Sequence, residues 1–111
     1  MGEQAAVNYL VDGGYEIEQR NWRSGRNEID IIANYQGIKI IVEVKSRLSD
    51  EYAEPEMTVS PRQMARLANA YGHYAEQIDY NGECRFDIIG VLFVDPLRPI
   101  INHFEDAFFP S

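Results

Sequence analysis

Three residues of this 111-residue chain have the types and spacing for one piece of chemistry: Asp30, Glu43 and Lys45. Asp30 lies in Glu28-Ile29-Asp30-Ile31-Ile32, and Glu43-Val44-Lys45 lies in the next apolar run. Two carboxylates and an ammonium are what metal-assisted cleavage of a phosphodiester needs. The carboxylates hold a hard divalent cation, and the ammonium orients a water or offsets charge on the phosphate.

Their positions follow from strand geometry. Side chains alternate, so Glu43 and Lys45 share one face while Val42 and Val44 share the other. Gln36-Gly37 reads as a two-residue hairpin turn between runs 28–35 and 38–47. Such a turn pairs Tyr35 with Ile38 and Ala33 with Ile40. Continued, the register sets Asp30 opposite Glu43 and Glu28 opposite Lys45. Opposed Cβ atoms are about 4.5–5.5 Å apart. Two carboxylates at that distance repel by roughly 3 kcal/mol at an effective dielectric of about 20. A magnesium or manganese ion bridging both relieves the repulsion, with the Val44 backbone carbonyl as a further oxygen ligand. The bland alternative is a solvated sheet face with a Glu28–Lys45 ion pair. Against it, the two runs are rich in isoleucine and valine and read as central strands, where bare charge is expensive.

Neighbouring residues carry two readings each. Glu3 is either an acid favoured by the first-turn dipole of a helix or an acid reaching toward the metal. Gln63 either closes a capping box or contacts a phosphate or water. Arg20, Arg23 and Arg26 lead into the motif, Lys45 and Arg47 leave it, and Arg62 stands at a helix start. The candidate nucleic-acid contacts are therefore Arg23, Arg26, Arg47, Arg62 and Gln63. His73 and His103 lack companion ligands at zinc spacing, and His103 is expected as a polar residue at a strand end.

The elements that must hold these residues are legible from periodicity. Residues 3–12 show helical spacing and stop at Gly13-Gly14. Tyr15 to Arg20 alternates as a half-exposed strand, and 21–27 reads as a polar loop with Trp22 lidding the core. Residues 48–59 form an acidic, irregular connection. Ser60-Pro61-Arg62-Gln63 starts a helix whose apolar face is Met64, Leu67, Ala68, Tyr71, Ala75 and Ile78. Arg62, Arg66, Asn69 and His73 line another face of it. A central strand follows at 85–94, then a short one at 100–104. The order helix, three strands, helix, two strands gives an α/β domain over residues 1–111, one mixed sheet flanked by helices. The crossover through the second helix makes the third and fourth strands parallel neighbours.

Composition sets the outer bounds. The chain is 45% hydrophobic and 25% charged, as a single folded domain should be. Its one cysteine, Cys84, precludes an internal disulfide, fits a reducing cytoplasm and is expected at least half-buried. No apolar stretch reaches the roughly 20 residues of a membrane span. A net charge of −8 weighs against a general, charge-driven nucleic-acid binder. It leaves room for a nuclease, because a bound metal adds local positive charge and the arginines cluster around the motif.

The pattern at Asp30, Glu43 and Lys45 resembles that of the PD-(D/E)XK nuclease superfamily. The wider text is similar to one family within it, the YraN-type bacterial proteins. The matching segments are Gly2-Glu3 with Ala6, Tyr9-Leu10, Gly14-Tyr15, and Arg20-Asn21 with Arg23. They continue through Glu28 to Ala33, Val42 to Lys45 with Arg47, Ser60-Pro61-Arg62, Arg85-Phe86-Asp87, and His103 near Ala107-Phe108. The resemblance implies a restriction-endonuclease-like fold and a likeness to homodimeric Holliday-junction resolvases, hence branched DNA and a second copy as partners. By motif position it implies Asp30 and Glu43 as metal ligands, Lys45 as catalytic lysine and Glu3 as a supporting acid. Two residues depart from the family pattern: Asn27 stands where glycine is usual, and Gln63 where lysine is common. The expectation is a magnesium- or manganese-dependent endonuclease. The alternative is a non-catalytic nucleic-acid-binding or assembly module on the same fold.

Overall fold

A computed structural model describes residues 2–47 and 60–107. The expected acidic connection at 48–59 lies outside the described residues, as does Phe108 of the matching segments. The elements are α1 (Gly2–Asp12), β1 (Glu16–Ser24), β2 (Asn27–Tyr35), β3 (Ile38–Arg47), α2 (Pro61–Gln77), β4 (Cys84–Leu92) and β5 (Ile100–Phe104). The strands form one sheet in the order β1-β2-β3-β4-β5, with β3 and β4 parallel and the other neighbours antiparallel.

Local chemistry explains the boundaries. α1 ends in a Schellman pattern: Gly14 adopts φ +92°, and the Tyr15 N–H reaches back to the Leu10 carbonyl at 2.9 Å. Gln36 and Gly37 both take positive φ, 50° and 80°, which is the backbone a two-residue hairpin turn requires. The register is the expected one, Tyr35 with Ile38 and Ala33 with Ile40. α2 opens on a complete capping box between Ser60 and Gln63, with Pro61 in its first turn.

Each face of the sheet carries a helix. Ala6, Val7 and Leu10 of α1 pack on Ile31, Ala33, Ile40, Val42, Ile89 and Val91. Leu67, Ala70 and Tyr74 of α2 pack on Ile29, Ile32, Ile41, Phe86 and Ile88. The buried stripe of α2 is thus rotated from the expected one, and Ile78 is exposed. The expected loop at 21–27 is also corrected. β1 continues to Ser24, the turn is only Gly25-Arg26, and Trp22 lies within the strand with its ring 5.1 Å from that of Tyr74. Gly25 supplies the positive φ of that turn, at 62°, so Asn27 serves as a first strand residue and glycine is not needed there. Cys84 is exposed, contrary to expectation, because it begins an edge-facing strand end before the apolar run enters the core.

Candidate active site

Asp30 and Glu43 come together where β2 and β3 part. The β2–β3 partners end at Ile31 and Val42, while β3 runs on to Arg47 paired only with β4. The Asp30 carboxylate fills the place of the missing strand: the Val44 N–H donates to its Oδ2 at 2.8 Å. Glu43 stands beside it on the α2 face. Lys45 Nζ lies 3.6 Å from Glu43 Oε2. The ladder stops short of the expected pairs, Asp30 with Glu43 and Glu28 with Lys45, so the acids meet through their side chains and not as ladder partners. Glu28 instead meets Arg23 at 3.4 Å.

Both carboxyls are held above their ordinary range. Burial is the largest cause for each. For Asp30 the charges of Glu28 and Glu3 add to it, against the Val44 N–H, which lowers it. Glu43 is pushed up to about 7 by burial and by Asp30, with Lys45 opposing.

The two acids open onto a cleft of about 230 Å³ lined by Arg26, Asn27, Glu28, Asp30, Glu43, Gln63, Arg66 and Leu67. Gln63 closes the capping box and also lines the cleft. Arg66 was legible as part of the polar face of α2 but was not singled out as a site residue. Its i+3 spacing from Gln63 was the available signal. Among the described residues, Arg26 and Arg66 make no ion pair. Arg62 is exposed in the first turn of α2 and Arg47 at the end of β3, both outside the cleft lining.

Glu3 lies on the α1 side. Its Oε2 accepts from Arg20 Nε at 2.9 Å and from Asn21 Nδ2 at 3.1 Å. Its charge reaches Asp30, and both donors share the one oxygen, Oε2. Among the described residues, no three His, Cys, Asp or Glu side chains converge as a metal cage.

A second polar cluster, missed in the sequence, sits on the α1 face. Asp87 is fully buried. It accepts from Arg85 Nε and Nη2, each at 2.8 Å, and from the Asp106 N–H at 3.0 Å. His103 Nε2 lies 2.7 Å from Asp87 Oδ2, and its Nδ1 lies 3.0 Å from the Tyr9 hydroxyl. His103 is therefore a nearly buried partner of Asp87 and not a loose strand-end residue. These contacts hold the Asp87 carboxyl below its ordinary value despite its burial.

The sequence profile of the uncharacterised protein family UPF0102 matches residues 2–91. A UPF0102 protein of Phocaeicola vulgatus is 37% identical over 98% of this chain and 89% of its own length. One from Flavobacterium psychrophilum is 41% identical over 97% of this chain and 90% of its own length. One from Thermodesulfovibrio yellowstonii is 36% identical over 97% and 92%.

Proposed function

The chain belongs to the uncharacterised protein family UPF0102, and from its carboxylate site we propose a divalent-metal-dependent endonuclease that hydrolyses DNA phosphodiester bonds, branched substrates included. The observation that carries the reading is the juxtaposition of Asp30 and Glu43, two part-buried acids whose carboxyls burial holds above their ordinary range, Glu43 further raised by Asp30, beside a cleft lined by Arg26 and Arg66. A magnesium or manganese ion fits this donor set of hard oxygens. Asp30 and Glu43 would hold it. The Val44 carbonyl would join them, since the N–H and C=O of one strand residue point toward the same neighbour and the Val44 N–H points at Asp30. Such an ion supplies Lewis-acid polarisation of the phosphate and acidifies water.

The chain's own residues do the rest. The Val44 N–H fixes the Asp30 carboxylate beside Glu43. Lys45, anchored near Glu43, is placed to orient the attacking water or to stabilise charge building on the phosphate. Arg26 from the β1–β2 turn and Arg66 from α2 approach the cleft from two elements, as a clamp on the phosphates flanking the cut would. Lining so rich in charge and so small a volume suit a phosphate and its sugar better than an apolar ligand.

The test is cleavage of branched, flapped and linear DNA with magnesium or manganese. Wild type should cut, and Glu43→Ala and Lys45→Ala should each lose roughly a hundredfold or more in rate. Equal turnover by wild type and Glu43→Ala, or none on any substrate, overturns the proposal. One observation favours a non-catalytic module instead: the net charge of −8, with Gln63 uncharged at the cleft. That reading predicts salt-sensitive DNA binding without cleavage in the same assay.

A further inference from the structure

β1 carries a bulge between Ile17 and Gln19, and beyond it β1 and β2 turn over together at one point, which is the site. Residues two apart on a strand face the same way. Arg20 and Trp22 do not: Arg20 bonds Glu3 and Gln4 of α1, at 2.9 and 3.1 Å, while Trp22 packs against Tyr74 of α2. Nor do Ile31 and Ile29, which belong to the α1-side and α2-side clusters respectively. The register pairs Arg20 with Ile31 and Trp22 with Ile29, so Asn21 and Asp30 stand between them, across from each other.

Asn21 is where the backbone makes this reversal. It lies inside β1 yet has φ +50°, in the left-handed region. Asparagine is one of the few non-glycine residues that adopt that region readily. Its side chain leaves for the α1 side, where Nδ2 bonds Glu3 at 3.1 Å. An extended residue at this position would carry its side chain next to Asp30 and send Trp22 to the wrong face. The turnover also ends the β2–β3 ladder at Ile31, which exposes the Val44 N–H that Asp30 takes up.

We infer that Asn21 is a positioning residue for the site: its left-handed backbone turns β1 and β2 over so that Asp30 meets Val44 and Glu43. Glu3 is the clamp on that conformation through the Asn21 side chain. This inference rests on the carboxylate pair being the metal site, but its structural half stands apart from any activity.

The experiment compares Asn21→Gly, Asn21→Ala and Asn21→Val with wild type. Two readouts are used: amide hydrogen exchange at Val44, and affinity for Mn²⁺. Glycine accepts positive φ, alanine resists it by roughly 1–2 kcal/mol, and the β-branched valine resists it most. The expected order of Val44 protection is wild type and Gly, then Ala, then Val. In Asn21→Val the Val44 amide should exchange about tenfold or more faster, as loss of a hydrogen bond to a carboxylate implies. Mn²⁺ affinity should fall in the same order. Exchange at Ile41 and Ile89 reports on the remaining sheet and should hold in the Ala variant even if the Val variant unfolds. Unchanged Val44 protection in Asn21→Ala and Asn21→Val overturns the inference. So does a Gly variant as impaired as the Val one. If wild type binds no Mn²⁺ but the exchange order holds, the metal reading fails and the positioning role survives.

Discussion

At the residue scale the carboxylate pair works against the fold, because burial disfavours the charge of both Asp30 and Glu43. Glu43 binds a proton more tightly in the folded state, at about 7 against 4.5 ordinarily. Between those pH values the folded protein holds more protons than the unfolded chain, so stability falls as pH rises through that window. Asp87 acts in the opposite sense. Its carboxyl is lowered, so it stabilises above its ordinary range near 3.8 and that contribution is lost as pH falls below it. The metal-free protein should therefore lose stability from pH 4.5 toward 7 by an amount of order 3 kcal/mol at most. Glu43→Gln, or saturating Mn²⁺, should flatten that loss. Urea midpoints measured across pH check it, and a slope unchanged by Glu43→Gln would contradict it. The same logic predicts that Glu43→Gln is more stable than wild type at pH 8 without metal.

At the element scale a polar cluster on the α1 face of the sheet ties together elements distant in sequence. Asp87 on β4 joins Arg85, His103 on β5 and, through His103, Tyr9 on α1. Replacing Asp87 by alanine strands a part-buried guanidinium and an imidazole, and should cost about 3–5 kcal/mol. For a domain whose whole stability is of order 5–15 kcal/mol, thermal unfolding should show a large drop in midpoint. A midpoint within a few degrees of wild type would deny the cluster its role. Its origin explains why it was illegible. Arg85 and Asp87 are two apart and readable as one face, but their burial depends on β5 and α1, which no local pattern reveals. The hairpin was legible for the contrary reason. Gln36-Gly37 sets the register locally, and the pairs from Tyr35 with Ile38 to Ile31 with Val42 follow by counting, one pair short of Asp30 and Glu43. β1 beyond Arg20 reads as a loop in sequence because residues 21–27 are polar and contain Gly25. The left-handed backbone of Asn21 that reverses the strand there leaves no pattern in the sequence. The tilt of α2 was equally hidden, since both candidate stripes carry apolar residues and packing on β2 chooses between them.

At the scale of the whole molecule the proposed function sets a net charge of −8 against an anionic substrate. Arginines gather at the cleft. Arg26 and Arg66 line it, and Arg23, beside it, is tied to Glu28. Removing Arg26 and Arg66 together should weaken DNA binding for every sequence alike. It should also lower the slope of log K against log salt by about 2. A slope unchanged in the double variant would place the DNA elsewhere on the surface. Among the described residues no helix is long and apolar enough to cross a membrane. The α/β sheet with a helix on each face, read from the element order, is the architecture observed. The parting of β2 from β3 builds the proposed divalent-metal site, and a crystal of the protein soaked in Mn²⁺ is the decisive test. An anomalous scattering peak bridging the carboxylates of Asp30 and Glu43, lost in Glu43→Ala, is the result predicted. A site left empty at saturating Mn²⁺, or a peak held by other residues, would contradict it.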